Sequence, residues 1–159
     1  MMDLLFFFEW LDTSALADIS KAYGGVFAVV ETFHTSAMVL LGGMILTGDL
    51  RLMNVLMRDI PSEVVIRNTE KWFGFALVVM ILSGIFMMSA VAMKLYYNVF
   101  FFSKMVGLAT GVFFFYVIRK PLLNQEHALI NPWTLKLIGG TSILIWLSVA
   151  ASGRWIGFS

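Results

Sequence analysis

The chain has 159 residues, of which 60% are hydrophobic and only 13% charged, with a formal net charge of +1. An ordinary soluble domain carries about twice that charged fraction, and a charge this near zero offers no basic face for nucleic acid. With no cysteine, disulfides, thiolate metal sites and iron–sulfur clusters are excluded.

The mean hydropathy of +0.87 is concentrated in four long apolar runs. This is the signature of an integral membrane protein that contacts the lipid bilayer directly. The expected fold class is all-α: a four-transmembrane-helix bundle preceded by an N-terminal interfacial amphipathic helix, the whole of residues 1–159 forming one domain. Met1–Trp10 has no positive n-region and carries Asp3 and Glu9, so it does not read as a cleaved signal peptide.

From Leu4 to Tyr23, apolar Trp10, Leu11, Leu16 and Ile19 alternate with Asp12, Asp18 and Lys21. That pattern predicts a helix lying in the membrane interface over 4–23, with Trp10 at headgroup depth. Gly24-Gly25 is expected to break it. The spans follow at about 26–47, 72–93, 99–118 and 133–152, each close to the ~20 residues needed to cross the hydrocarbon core. Trp72, Trp133 and Trp155 fall at span ends, as an aromatic belt requires. Pro121 and Pro132 bracket a short polar connection, and no repeats or low-complexity segments occur.

Lysine and arginine set the expected orientation. Arg51, Arg58, Arg67, Lys71, Arg119, Lys120 and Lys136 fall on one side, against Lys21, Lys94, Lys104 and Arg154 on the other. The richer side is expected to be cytoplasmic. Both termini then face outward, to the periplasm if the membrane is a bacterial inner (plasma) membrane.

Span one carries Glu31 and His34 one helical turn apart, on one face of the helix. Ionisable groups at membrane depth mark sites. His34 lies about 12 Å deep, at ~1.5 Å per residue from the outer end of the span. Spans two, three and four bring Met87 and Met88, Lys104, and Arg154 to the same half. His127 falls in the connection on the opposite side, which disfavours a two-histidine haem within one chain.

An imidazole in a helix bundle is a standard axial ligand for haem. Phe27, Phe33, Phe101 and Phe102 could line its slot. Lys94, Lys104, Arg154, Tyr96 and Asn98 could meet the propionates. The other axial position would be open, Met87 or Met88, a deprotonated Lys104, or a ligand from a second chain. Copper is an alternative, because His34 and Met38 are i, i+4 and Glu31 shares their face. A di-iron site needs two Glu-x-x-His copies and two further carboxylates, and this chain has one copy.

Two further features concern packing. Asp49 and Arg51, directly after span one, could pair with Lys71 or with Arg67 and Glu70 as a structural ion-pair cluster at the membrane surface. Gly107-x-x-x-Gly111 lets another helix approach closely. Gly42-Gly43, Gly84 and Gly139-Gly140 place small residues in the other spans.

Taken in order, these motifs resemble a family of bacterial four-span inner-membrane proteins catalogued as a domain of unknown function. The resemblance rests on Trp10-Leu11…Ala22-Tyr23, Glu31–His34, Asp49-Leu50-Arg51-Leu52, Phe101–Lys104 and Gly153-Arg154, and covers nearly the whole chain. It implies a four-span bacterial membrane protein and supplies no activity.

The leading expectation is a haem b- or metal-binding membrane protein of the b-type-cytochrome kind, serving electron transfer or sensing. His34 is the axial ligand, Glu31 its neighbour, Lys104 a partner or second ligand, and Arg154 an anchor for propionate charge. A homo-oligomer and an unidentified redox partner are expected with it. One alternative is proton- or ion-coupled transport through an oligomer using Glu31, His34 and Lys104. Another is a non-catalytic assembly subunit of a larger membrane complex. A soluble-type enzyme is disfavoured, since no nucleophile–base pair, phosphate loop or nucleotide motif is present.

Overall fold

The structure, a computed structural model, describes residues 4–124 and 130–158. Those residues form helices and no strand. The elements are α1 (Leu4–Asp12), α2 (Ala15–Ala22), α3 (Gly24–Leu52), α4 (Ser62–Ala90), α5 (Ala92–Tyr96) and α6 (Val99–Phe113). A π-helical turn, Phe114–Arg119, then leads into α7 (Lys120–Leu123), and α8 (Pro132–Trp155) ends in a 3₁₀ turn, Ile156–Phe158.

Four stretches are long and apolar enough to cross a membrane: Gly24–Leu52, Ser62–Ala90, Val99–Leu123 and Pro132–Phe158. The chain is a multi-pass membrane protein. At ~1.5 Å per residue, the 29 residues of α3 and of α4 overreach a hydrocarbon core of ~30 Å. The spans are therefore longer than their apolar cores, and their polar ends project beyond hydrocarbon.

Side-chain caps set several helix starts. Ser14 Oγ accepts from the Ala17 amide at 3.2 Å to open α2. Asn98 Oδ1 accepts from Phe100 and Phe101 at 2.9 and 3.1 Å to open α6. Asn131 Oδ1 accepts from Trp133 at 2.9 Å and opens α8, with Pro132 at the first turn, where its missing N–H costs nothing.

The N-terminal segment differs from the single interfacial helix the alternation suggests. It is two short helices broken at Thr13-Ser14, and they dock on the bundle end. Phe8 and Leu11 are buried with Ala92, Leu95 and Phe101, and Ser20 Oγ lies 3.4 Å from Ser89 Oγ. Trp10 stays exposed. The break before span one falls at Tyr23, and Gly24 and Gly25 begin α3. The second span stops at Ala90 rather than 93, and α5 turns the chain toward α6.

In lipid, helices gain little by hiding apolar surface from one another, so close packing and small residues decide their pairing. The most extensive pairing is α3 with α4, followed by α6 with α8 and α3 with α8. The Gly107-x-x-x-Gly111 expectation holds. A Cβ at Gly107 would meet Val149 Cγ2 at 2.9 Å, and one at Gly111 would meet Trp146 at 3.2 Å. Helix α4 meets the π turn and α8 through side chains: the Phe73 and Phe115 rings stack at 3.9 Å, and Trp146 stands edge-on to Phe73 at 5.5 Å. These rings join Leu41, Ile45 and Met80 in the central core.

Candidate functional site

His34 sits on the α3 face turned toward α4. Its Nδ1 lies 2.8 Å from Ser83 Oγ. The serine hydroxyl has one proton, and its oxygen lies 2.6 Å from the Val79 carbonyl. A carbonyl cannot donate, so that proton is committed. Ser83 Oγ must then accept from His34 Nδ1–H, with the backbone of Met80 a further acceptor beside the ring. In its neutral form the ring therefore carries its proton on Nδ1 and its lone pair on Nε2. Nε2 makes no hydrogen bond among the described residues.

Gly84 leaves room for this ring, since a Cβ there would stand 3.4 Å from His34 Cε1. Lys104, half-buried on α6, is close enough to act electrostatically on the imidazole. It makes no ion pair among the described residues. Gly153 gives its chain space: a Cβ there would meet Lys104 Cδ at 3.5 Å and Nζ at 3.6 Å. So the Phe-x-x-Lys and Gly-Arg motifs meet in space through Lys104 and Gly153.

The other expected site residues are more dispersed. Glu31 is exposed and lines a shallow depression of about 330 Å3 with Thr32, Thr35 and Ser36. Met38 is exposed too. The Arg154 guanidinium lies 4.5 Å from the Phe158 ring centre. Met88 packs against the α1 cluster, and Met87 is half-buried. Phe101 and Phe102 contact Phe8, with ring centres at 6.0 and 6.3 Å, so that part of the anticipated aromatic slot is filled by α1. Phe33 is exposed, Phe27 half-buried and Lys94 exposed. Tyr96 leans on Phe8, and Asn98 is engaged as the α6 cap. His127 lies outside the described residues. Among the described residues, no group of three or more His, Asp or Glu side chains is placed to hold a metal ion.

A second polar cluster lies at the opposite end, and its partners differ from those expected. Asp49 pairs with Arg119, not with Lys71 or Arg67, both of which are exposed. Arg119 Nε and Nη2 approach Asp49 Oδ1 at 3.2 and 3.1 Å. Glu70 stands 3.9 Å from both Arg119 and Lys120. The Ser142 hydroxyl lies beside the carboxylate, and neither Asp49 Oδ2 nor Ser142 Oγ has a hydrogen-bond partner among the described residues.

Arg119 ends a π turn and is buried. The Lys120 amide bonds back to the Phe115 carbonyl, five residues earlier. Phe115 and Arg119, four residues apart, share one inward face, as i, i+4 residues do on a helix, with the guanidinium 5.0 Å above the Phe115 ring. Close helix approach completes the cluster. A Cβ at Gly48 would meet Arg119 Nη2 at 3.0 Å, and one at Gly139 would meet the Asp49 carbonyl at 2.9 Å.

The model of a family of unknown function (DUF6644) matches residues 7–159. No curated protein and no solved structure matches the chain.

Proposed function

We propose, from the premise that the chain belongs to this family of unknown function, that it is a small haem-binding membrane protein with His34 Nε2 as the axial ligand. Its role in this reading is electron transfer or sensing. The observation that carries the reading is the His34–Ser83 hydrogen bond at 2.8 Å. Histidines that ligate metals donate their other N–H to a fixed acceptor, which sets the tautomer and raises the basicity of the ligating nitrogen. His34 has that acceptor, and its Nε2 is uncommitted.

Haem fits this donor set better than a bare ion. A porphyrin brings four nitrogens and asks the protein for one, whereas copper held by His34, Glu31 and Met38 needs three groups to converge. Glu31 and Met38 are exposed while the imidazole turns toward α4. Bound haem would supply one-electron redox chemistry or binding of a small diatomic ligand. The chain's residues would do the rest. Ser83 orients the ring, Gly84 clears its edge, and Lys104 supplies positive charge for a propionate. With Arg154 turned onto Phe158, Lys104 is the better anchor of the two.

Transport within one chain is disfavoured, because the apolar core of Leu41, Ile45, Phe73, Met80, Phe115 and Trp146 lies between the His34 region and the Asp49 cluster. We place the protein in a bacterial inner membrane with both termini periplasmic, on the lysine and arginine bias. We also infer a homo-oligomer, which would cover the exposed polar Glu31, Thr32, Thr35 and Ser36 face of α3. The test is the absorption spectrum of the purified protein, oxidised and reduced, with elemental analysis. A Soret band with an α-band on reduction is expected. A preparation able to fold, yet with neither Soret absorption nor bound metal, rejects the reading.

A further inference from the structure

In Asp49-Leu50-Arg51-Leu52 the first and last residues face the bundle interior, Asp49 to Arg119 and Leu52 to the apolar cluster with Ile66 and Ile138. Arg51 does neither. The loop after α3 folds back around it: Val55 and Leu56 amides bond to the Leu50 carbonyl at 2.9 and 3.3 Å, and the Asn54 amide bonds to the Arg51 carbonyl at 3.0 Å. Among the described residues, the non-glycine residues with positive φ are Asn54 (59°) and Met57 (51°), both in this loop. A methionine in that region is strained, so the loop holds its shape at a cost.

The loop fixes the guanidinium. Arg51 Nε donates to the Ile60 carbonyl at 2.8 Å, and Nη1 donates to Asn54 Oδ1 at 3.4 Å. Its remaining N–H groups stay available, and no carboxylate pairs with it among the described residues. Arg51 lines a depression of about 310 Å3 together with Lys136, Asn54, Ser62, Pro132 and the two leucines Leu52 and Leu135. Lys136 Nζ lies 5.2 Å from the Trp133 ring and has no carboxylate partner among the described residues either. Neither nearby acid, Asp59 or Glu63, lines the depression.

We propose that this depression is a phosphate site, filled in the membrane by the phosphodiester of an anionic lipid headgroup. A held arginine and a lysine lining one hollow suit a tetrahedral oxyanion. The surroundings favour a lipid over free phosphate. Val55, Leu56 and Met57 at the loop tip are exposed and apolar, as is Trp133 beside Lys136, and the floor of the hollow is leucine. Such a rim belongs at the acyl–headgroup boundary.

The test is binding of phosphatidylglycerol to the intact protein in a neutral detergent, read by native mass spectrometry and by the thermal midpoint. Inorganic phosphate serves as the parallel probe. Wild type should bind the lipid and be stabilised by it. Lys136→Gln should weaken binding about fivefold, and Arg51→Gln with Lys136→Gln more, at about fivefold for each cation removed. Arg58→Gln, an exposed cation of the same loop outside the depression, should bind as wild type. Lys136→Gln should leave the lipid-free midpoint unchanged, which separates lost binding from lost folding. Binding of inorganic phosphate at equal strength would support the anion site and overturn the lipid as its source. Equal lipid binding by wild type and the double variant, or equal weakening by Arg58→Gln, would overturn the site.

Discussion

Arg119 directs two nitrogens, Nε and Nη2, at the single oxygen Oδ1 of Asp49, at 3.2 and 3.1 Å, and both side chains are 2% exposed or less. Removing one member strands the other charge in the closed bundle interior, which costs about 3–5 kcal/mol in buried pairs. Arg119→Met is therefore expected to lower the thermal midpoint sharply in detergent. Asp49→Leu with Arg119→Met, which removes both charges, should recover most of the loss. A single variant as stable as wild type would show that the pair contributes nothing.

Gly139 faces the Asp49 carbonyl, and a Cβ there would stand at 2.9 Å from it. A backbone oxygen within a helix cannot move aside as a side-chain tip can. Gly139→Ala should thus push α8 off α3 and destabilise by about 1–3 kcal/mol. Gly140→Ala, where nothing lies within 4 Å, should be close to neutral. Unfolding midpoints of the two variants, measured side by side, check the contrast.

Ser83 is the acceptor that sets the His34 tautomer, and its own proton is held by Val79. Ser83→Ala removes the acceptor and frees the ring to turn. On the haem reading, affinity should fall by about 10- to 100-fold, as for other groups that orient a metal-bound histidine. The fold should survive. Haem titration of the apoprotein measures this, and unchanged affinity would mean that the hydrogen bond does not prepare the ligand.

Gly153 gives the Lys104 chain its space, with the nearest approach 3.5 Å to Cδ. Gly153→Leu should displace Lys104 and remove its charge from the neighbourhood of His34. The expected consequence is weaker haem retention with an unchanged oligomeric state. Lys104→Met should reproduce it. A difference between the two variants would separate steric from electrostatic effects.

Much of this architecture is legible in the residues. Apolar run lengths locate four spans, and Gly107 and Gly111 announce the α6–α8 contact. Span order also predicts that Glu31, His34, Lys104 and Arg154 converge at one end of the bundle; Lys104 does lie in the neighbourhood of His34, whereas Glu31 is exposed and Arg154 turns onto Phe158. Arg119 is different. Beside Lys120 at a span end it reads as an interfacial cation, although it shares the buried face of Phe115 four residues earlier. Its pairing with Asp49, 70 residues away, depends on helix packing that no local pattern encodes. Phe8 is hidden for another reason: lipid and protein interior are equally apolar, so hydropathy cannot tell that it docks on Ala92 and Phe101. The Ser83 acceptor needs the register of α3 against α4, which 49 residues of separation leave open.

Ligation of haem iron by His34 Nε2 is the interaction on which the proposed function rests. It is tested most directly by comparing Soret absorbance of wild type and His34→Ala after both are purified and supplied with haem. A saturable Soret band is expected in wild type, with its loss in His34→Ala and its partial return when imidazole is added to the variant. An equal band in both proteins, or none in folded wild type, would contradict it.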